Sequence, residues 1–565
     1  MTDLASAAIP IRRSHALAPA YAILFVSALV LFAFTMPRSV SVYDEGLILT
    51  GASRVLDGAL PHRDFYANYG PGQYDIVAAS FKLFGSSVAA ERVLDLLIKS
   101  GVVCLTYSIS LSMMGRGAAA MVTAFAALWV AAADAPSYPI WASMLLTLIA
   151  VKAVFPGLEG RHATGSLAAA GVCVGAIALF RYDVGFFVCA AVSGVLAAYG
   201  WIANRLAGGR MSRMLRLIGP FWIGVAIVDA PVAIGFAVAG VLPDFVFQVI
   251  TFPSNSYARM RSLPFPLVGG GIGDLWRRPS DLVVYAPPLV VLTALALTVR
   301  GRWAGSERIA PSAWTWKLAL MASLALALYF KGFVRVSSLH MMLSLVPSFI
   351  ALGAVAWRLS IERTEPRAKR IAQGLAALSL ALTFTTSAFA AKATLGAMKA
   401  SALAVLHGEV FGSGANSAST GSCFPPAELE RARCFVLPDG AAEAIQFIRQ
   451  NTAATEPIFV GVGRHDKIFI NDVAFYFLAD RRPATKWYHF DPGLQTSEPI
   501  QSRIVDGLAR GNVRYVVLYS EFDATEEPNE SALSSGVFVL DDYIRNTYEP
   551  AATFGYYRIL KKKAS

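Results

Sequence analysis

Three acidic residues stand in one short polar segment, VYDEGLILTGASRVLDGALPHRDFYANYGPGQY. Asp44 and Glu45 are adjacent, and Asp64 follows beside Arg63. A carboxylate held in a cavity can accept a proton from an attacking nucleophile, and a set of carboxylates can bind a divalent metal ion. The alternative is structural, because acids at a membrane boundary are often solvated or ion-paired. For Asp64, an ion pair with Arg63 is the simpler interpretation.

The second half of this segment, LPHRDFYANYGPGQY, combines turn residues with polar and aromatic side chains. Its prolines and glycines favour an ordered loop. Arg63 and Asn68 are candidates for contact with a polar substrate, while Tyr66 and Tyr69 suit either a membrane interface or stacking on a sugar ring. The next stretch, DIVAASFKLFG, is apolar but too short to span a bilayer, which predicts an interfacial amphipathic helix. Loop and helix together would cover a site.

The elements that must position these residues lie in a membrane. Of the 565 residues, 55% are hydrophobic and 15% are charged, against about 25% charged in ordinary soluble domains. The mean hydropathy is +0.52. These values predict an integral membrane protein. The net charge of +11 falls mostly in short gaps between apolar runs, so it indicates membrane topology rather than nucleic-acid binding.

Apolar runs of spanning length predict about eleven transmembrane helices. The first run follows Arg12 and Arg13 and is too long for a signal-peptide core, which predicts a retained helix with its N-terminus in the cytoplasm. With that orientation, every gap assigned to the cytoplasm is basic, and the acidic segment faces outside. The other runs centre on residues 92–114, 118–134, 137–155, 164–180, 184–203, 217–240, 281–299, 313–330, 339–357 and 371–391.

The composition changes after about residue 392. GSGANSASTGS predicts a loop, and the stretches AAEAIQFIRQNTAATEPIFVGVG and GNVRYVVLYS alternate helical and strand patterns. The predicted division is a transmembrane module over residues 1–391, with its first external loop at 37–91, and an α/β domain outside the membrane over residues 392–565.

The cysteines agree with this layout. Cys104, Cys173 and Cys189 fall in predicted helices, where they are expected to pack as small apolar side chains. Cys423 and Cys434 share the external loop CFPPAELERARC, where an oxidising compartment favours a disulfide between them. A zinc site is not expected, because the spacing is wrong and no histidine pair lies nearby.

The order of an apolar helix, YDEG, LPHRDFYANYGPGQY and FKLFG resembles the bacterial GT-C glycosyltransferases of the protein mannosyltransferase type, glycosyltransferase family 39. That group includes the aminoarabinose transferases of lipid A and the rhizobial galacturonosyltransferases. The resemblance is strongest over residues 40–115 and extends to YFLADRRPAT in the tail. It implies a polytopic all-α GT-C fold in the bacterial inner membrane. It also implies an enzyme that transfers a sugar from a polyprenyl-phosphate donor to a cell-envelope acceptor on the periplasmic face.

The resemblance also implies roles for the first two acids. Asp44 matches the candidate base that activates the acceptor hydroxyl, and Glu45 matches a second acid that orients the base or contacts the sugar. Asp64 remains a further candidate in the same loop. An inverting transfer of this kind releases a phosphate, which needs positive charge rather than a general acid. Neither a catalytic metal nor another cofactor is expected.

Cations on the external side are candidates for binding the donor phosphate. They are Arg181, at the end of a helix, and Lys331 and Arg335 in FKGFVRVSSLH. Snorkelling to the membrane interface is the alternative for Lys331 and Arg335, and it is favoured for Arg259 and Arg261 in the long loop 241–280. For Arg181, an ion pair with a nearby acid across a tight turn is equally expected.

His340 stands where relatives carry a histidine after an arginine and an acid. This chain has Ser337 and Ser338 where that acid would stand, so no second carboxylate is expected there. His340 either contacts the sugar or forms a hydrogen bond to its own loop.

Two other classes of function remain open. A multi-pass transporter of an envelope lipid or solute would carry ionisable or helix-breaking residues near the bilayer midplane, and Asp229 with Pro231 is such a pair. An assembly protein without catalysis would tolerate replacement of Asp44. The sequence does not identify the sugar, the acceptor or the polyprenyl length.

Overall fold

The computed structural model describes residues 14–133, 135–206, 212–266, 279–303, 312–361, 366–406 and 425–564. Each predicted apolar run coincides with a helix. Among the described residues, eight helices are long and apolar enough to cross a membrane, and three shorter apolar helices cover Arg116–Ala132, Thr164–Phe180 and Leu282–Leu297. The chain is a mostly helical, multi-pass membrane protein. The predicted count of about eleven spans stays a prediction.

The helices up to the long loop are α1 (Ser14–Thr35), α2 (Asp44–Leu56), α3 (Pro71–Phe84), α4 (Val88–Leu111), α5 (Arg116–Ala132), α6 (Ile140–Leu158), α7 (Thr164–Phe180), α8 (Tyr182–Leu206) and α9 (Ser212–Val238). The loop itself contains α10 (Leu242–Val246), π-helical turns at Phe247–Thr251 and Pro253–Tyr257, and α11 (Ala258–Arg261).

A 3-10 turn at Pro279–Tyr285 leads into α12 (Ala286–Trp303), α13 (Ala313–Gly332), α14 (Ser338–Ile361) and α15 (Pro366–Leu406). Helix α15 therefore runs through the predicted domain boundary at residue 391. The predicted Gly/Ser-rich loop falls outside the described residues.

Small residues let two of the membrane helices approach closely. A Cβ atom at Gly171 of α7 would lie 1.9 Å from the carbonyl oxygen of Phe221 on α9, and one at Gly224 would lie 2.0 Å from the carbonyl oxygen of Ala168. Lipid is as apolar as the helix surface, so such close packing is a main source of helix association in membranes. These contacts hold α7, and with it Arg181 at its end, in a fixed place.

The last part of the chain contains a four-stranded sheet with strand order β1-β2-β4-β3. The strands are β1 (Phe459–Val462), β2 (Tyr515–Tyr519), β3 (Tyr548–Phe554) and β4 (Tyr557–Lys562), and the helices are α16 (Ala441–Asn451), α17 (Ala474–Leu478), α18 (Glu498–Arg510) and α19 (Val539–Thr547). β1 runs parallel to β2, and β4 is antiparallel to both β2 and β3. Helix and strand alternate as the sequence predicts, while the assignment of a separate domain stays a prediction.

Helix α2 packs directly against this sheet-containing region. A Cβ atom at Gly46 would lie 2.4 Å from the backbone nitrogen of Ala474. The Thr50 hydroxyl donates a hydrogen bond to the carbonyl oxygen of Val473 (2.9 Å), and the Ala474 N–H donates to the carbonyl oxygen of Val42 (3.0 Å). The glycine after the two acids is therefore required by backbone contact, which rigidly places the start of α2.

The described cysteines fit their predicted surroundings. Cys104, Cys173 and Cys189 are free and partly buried in helices. Cys434 is disulfide-bonded. Its predicted partner, Cys423, lies outside the described residues, so the pairing stays a prediction.

Candidate functional site

Asp44 is the first residue of α2. Its side chain is exposed to solvent and makes no hydrogen bond or ion pair among the described residues. Protein atoms nevertheless surround the carboxyl group closely enough to desolvate it. This enclosure raises the pKa of Asp44, while the guanidinium groups of Arg261, Arg335 and Arg181 act in the opposite direction. We call Asp44 and these three arginines the Asp44 site. It contains an accessible carboxylate whose charged form the three arginines favour, while Asp491 acts against it.

Glu45 points away from this site. Its side chain is fully buried and accepts two hydrogen bonds from Arg92 of α4, from Nε to Oε1 (2.5 Å) and from Nη2 to Oε2 (2.9 Å). The Ser41 N–H donates to Oε2 (2.9 Å). Arg92 also donates to the carbonyl oxygens of Pro37 (2.9 Å) and Ser39 (3.0 Å). Glu45 therefore forms a buried ion pair, and its predicted role of orienting the base or contacting the sugar stays a prediction.

Asp64 forms the ion pair that the sequence suggested as its simpler interpretation. Arg63 donates from Nε to Oδ1 (2.9 Å) and from Nη2 to Oδ2 (2.8 Å), and the Leu60 N–H donates to Oδ2 (2.7 Å). The hydrogen bonds from Arg63 lower the pKa of Asp64. Both side chains are partly exposed. The structure thus places Asp64 and Arg63 in a surface pair, and neither takes part in the Asp44 site.

Arg181 is held by an acid and two phenol rings. It donates from Nε to Asp183 Oδ1 (2.9 Å) and from Nη2 to Asp183 Oδ2 (2.7 Å). Its guanidinium carbon lies 5.3 Å from the centre of the Tyr69 ring and 5.6 Å from that of Tyr138. Lys331 Nζ lies 3.6 Å from Asp183 Oδ2. Two predicted phosphate ligands and Tyr69 are therefore brought together, with Asp183 already bound between the two cations.

Arg335 joins the membrane helices to the last part of the chain. It donates to both carboxylate oxygens of Glu527, from Nη2 to Oε1 (2.5 Å) and from Nη1 to Oε2 (2.9 Å). Nη1 also donates to the carbonyl oxygen of Arg261 (2.9 Å). His340 Nδ1 forms a hydrogen bond with the Ser337 hydroxyl (2.8 Å), so His340 bonds to its own loop.

Asp491 connects the predicted substrate-binding loop to the Asp44 site. Its Oδ2 accepts hydrogen bonds from the Tyr66 hydroxyl (2.9 Å) and from Asn68 Nδ2 (2.9 Å). Its Oδ1 accepts from the Tyr43 hydroxyl (3.2 Å) and from Arg261 Nη2 (3.3 Å). Tyr66 and Asn68 therefore bind a protein carboxylate in this structure.

Sequence reasoning misses Asp491 and Glu527, and it favours snorkelling for Arg261. The structure instead shows Arg261 only 6% exposed, and Arg261 is one of the three arginines that lower the pKa of Asp44. Asp491 and Glu527 lie in the last part of the chain, far in sequence from their partners. No local pattern marks them, apart from the aromatic run WYHFDPG around Asp491.

The described residues contain no group of three or more His, Cys, Asp or Glu side chains arranged to hold a metal ion. The expectation that no metal is needed stays a prediction. Chemically, the Asp44 site offers an accessible carboxylate for a proton and arginine charge for an anion.

The fold is shared with solved membrane glycosyltransferases. The crystal structure of ArnT from Cupriavidus metallidurans bound to undecaprenyl phosphate is 16% identical, with a TM-score of 0.52, 97% of this chain and 98% of that chain being covered. Its apo state is 14% identical, with a TM-score of 0.50, 96% of this chain and 98% of that chain being covered. The arabinofuranosyltransferase AftD from Mycobacteria is 13% identical, with a TM-score of 0.50, 100% of this chain but 42% of that chain being covered.

No protein-family model matches the chain, and no curated protein matches it. The solved structures establish the GT-C glycosyltransferase fold, and they confirm at the level of fold the resemblance drawn from the sequence.

Proposed function

We propose that this protein of GT-C fold is a membrane glycosyltransferase. It transfers a sugar from a polyprenyl-phosphate donor to a cell-envelope acceptor, which is a glycan, a lipid or a protein. The observation that carries the proposal is the solvent-open carboxylate of Asp44, which has no partner among the described residues and whose charge is favoured by Arg261, Arg335 and Arg181. A structure of the same fold binds undecaprenyl phosphate, which supports a lipid-linked donor.

In the proposed reaction, the acceptor hydroxyl oxygen attacks the anomeric carbon of the donor sugar. The new glycosidic bond forms as the bond between the anomeric carbon and the phosphate oxygen breaks, with inversion at that carbon. Asp44 takes the acceptor proton, and the polyprenyl phosphate leaves with the bonding electron pair. A base within reach of the acceptor and cations at the leaving oxygen are the two requirements of this step.

Positive charge for the phosphate comes from the arginines of the Asp44 site, with Lys331 beside Arg181. All four of these cations already bind acids: Arg181 and Lys331 bind Asp183, Arg335 binds Glu527, and Arg261 binds Asp491. Such pairs hold the cations in fixed orientations before a ligand arrives. Preorganised charge costs little rearrangement during the reaction, which is why it is effective at a transition state.

The proposal includes the topology predicted from the basic loops. The protein lies in the bacterial inner membrane with its N-terminus in the cytoplasm. The Asp44 site and the sheet-containing region then lie on the periplasmic side, where the lipid-linked donor and the envelope acceptor meet.

A transporter is the main competing function. Asp229 lies half-buried in α9, a helix that contains a candidate span. Asp44, Arg181, Arg261 and Arg335 instead lie outside the candidate spans, and Asp183 and Lys331 lie one residue from the ends of theirs. This distribution favours chemistry at one face of the membrane over passage across it.

The test compares Asp44→Asn with a matched control. Purified wild type, Asp44→Asn and Asp64→Asn are incubated with a panel of radiolabelled polyprenyl-phosphate sugars and membrane-extract acceptors, and sugar transfer is measured. Asp64→Asn is the same chemical change in the same segment, at an exposed ion pair. We expect wild type and Asp64→Asn to transfer one sugar, and Asp44→Asn to lose transfer while still folding and binding donor.

Each other outcome is informative. Equal transfer by Asp44→Asn and wild type would remove Asp44 as the base. Neither transfer nor donor binding by the wild type across the panel would favour the transporter.

A further inference from the structure

The carboxylate of Asp491 is the most extensively hydrogen-bonded acid near the Asp44 site. Its side chain is 5% exposed, and it accepts from Tyr43, Tyr66, Asn68 and Arg261. Burying a charge is costly unless it is paired and hydrogen-bonded, and here both oxygens are satisfied. The arrangement therefore fixes every group that donates to it.

The four donors come from three separate parts of the chain. Tyr43 immediately precedes Asp44 at the start of α2, Tyr66 and Asn68 belong to the predicted substrate loop, and Arg261 ends α11. The Tyr43 hydroxyl also donates to the carbonyl oxygen of Phe490 (2.9 Å). One acid thus joins the start of α2, the loop and the long-loop arginine.

The surroundings of Asp491 are aromatic. The ring of His489 stacks on Tyr66 with ring centres 4.4 Å apart. Neither ring nitrogen of His489 has a hydrogen-bond partner in the described part of the chain, and burial lowers the pKa of His489 to about 4, so the ring is neutral at neutral pH. Arg261 is then the cation that balances Asp491, and it lowers the pKa of Asp491.

We propose that Asp491 is a positioning residue of the transferase proposed above: it holds Arg261 and the start of α2 at Asp44 and offsets the charge of Arg261. The inference rests on that proposed function, since it assigns Asp491 to the base and the cation of the same reaction. Asp491 acts through Arg261 and Tyr43 and does not itself contact the reacting atoms.

The charge on Asp491 also affects the base. The groups that face Asp44 are the arginines at 261, 335 and 181, which lower its pKa, and Asp491, which raises it. The negative charge of Asp44 in turn raises the pKa values of the Tyr43, Tyr69 and Tyr138 phenols. With Asp491 neutral, Arg261 is uncompensated, so Asp44 loses its proton at lower pH and becomes a weaker base. The uncompensated arginine also attracts a phosphate more strongly.

The test separates the charge of Asp491 from its hydrogen bonds. In Asp491→Asn, the remaining carbonyl oxygen can still accept from Tyr43 and Arg261, while the amide nitrogen no longer accepts from Tyr66 and Asn68, so the charge and these two hydrogen bonds are lost. In the double variant Asn68→Asp/Asp491→Asn, the charge returns one hydrogen bond away, because Asn68 Nδ2 lies 2.9 Å from Asp491 Oδ2. Asp480→Asn is the control, since Asp480 is an exposed acid paired with Arg431.

The measurements are kcat and KM for the donor, the pH dependence of kcat, and the affinity for undecaprenyl phosphate alone. For Asp491→Asn, we expect kcat to fall about 10- to 100-fold, as small displacements of reacting groups do. We also expect the acid limb of the pH profile to move to lower pH and undecaprenyl phosphate to bind more tightly. The double variant should return the limb and the affinity toward wild type, and Asp480→Asn should match wild type.

Two results would overturn the inference. One is an unshifted acid limb with unchanged undecaprenyl-phosphate affinity in a folded Asp491→Asn protein. The other is a shift that the double variant does not reverse. Failure of the proposed function looks different, because Asp44→Asn would then retain transfer, or the wild type would transfer no sugar. If the wild type transfers no sugar, the affinities of the same variants for undecaprenyl phosphate still decide whether Asp491 offsets the charge of Arg261.

Discussion

Replacing Arg92 by methionine should unfold the protein far more readily than replacing an exposed arginine. Methionine keeps much of the length of the side chain but removes the cation, which leaves the carboxylate of Glu45 buried with the Ser41 N–H as its remaining donor. The wild-type pair has two short contacts and side chains only 2% and 0% exposed.

The size of the effect follows from this burial. Removing one partner of a buried pair costs about 3–5 kcal/mol, because the other charge remains uncompensated. Arg92 also donates to the carbonyl oxygens of Pro37 and Ser39, so the loop before α2 loses two further bonds. The expected change in the ratio of folded to unfolded protein is about two to four powers of ten.

The assay is thermal unfolding in detergent. Unfolding is measured as the loss of the fraction of protein that remains monodisperse on size-exclusion chromatography. Arg63→Met is the matched control, because Arg63 forms an exposed, solvent-screened pair that contributes little to stability. Glu45→Leu/Arg92→Met removes both charges and should recover much of the loss. If Arg92→Met unfolds at the wild-type temperature, or if the double variant is no better, the pair does not stabilise the fold as argued.

Three further predictions follow from other contacts. Gly46→Ala should lower the unfolding temperature, at a cost of about 1–3 kcal/mol, because its Cβ would lie 2.4 Å from Ala474 N; an unchanged temperature would contradict the close contact. Glu527→Gln should tighten undecaprenyl-phosphate binding about fivefold, or ~1 kcal/mol, by freeing the charge of Arg335, and weaker binding measured by titration would refute this. Burial lowers the pKa of His62 from 6.5 to about 4. As pH drops from 6.5 towards 4, the unfolded chain therefore binds a proton at His62 before the folded chain does, and the stability of the fold decreases. In His62→Asn, the unfolding temperature should decrease less over the same pH range.

The membrane helices were predictable because hydropathy is a local property. A run of apolar residues must be helical in lipid, where each backbone polar group needs a partner within its own segment. The alternating patterns after residue 425 are local as well, and they predict strands and helices there. The end of α15 at Leu406 was missed, because a helix that leaves a membrane changes composition without ending.

The candidate site was predictable only in part, since its acids are distinguished by their partners. Asp44 and Glu45 are neighbours in sequence, yet one is solvent-open and the other is buried against Arg92, because successive helical residues point in different directions. Asp491 finds donors more than 200 residues away in sequence. Such pairings depend on tertiary contact and leave no spacing pattern for a single sequence to show.

The contact between α2 and the last part of the chain has a consequence for synthesis. The chain emerges from its N-terminus, so the helix that carries Asp44 is made early, while Val473, Ala474 and Asp491 arrive near the end. Until they do, Gly46 faces no backbone, Tyr43 has no acceptor in Asp491, and Arg261 has no counter-charge there. A nascent or truncated chain that stops before Asp491 therefore lacks one side of the Asp44 site, which forms only after residues 473–491 have been made.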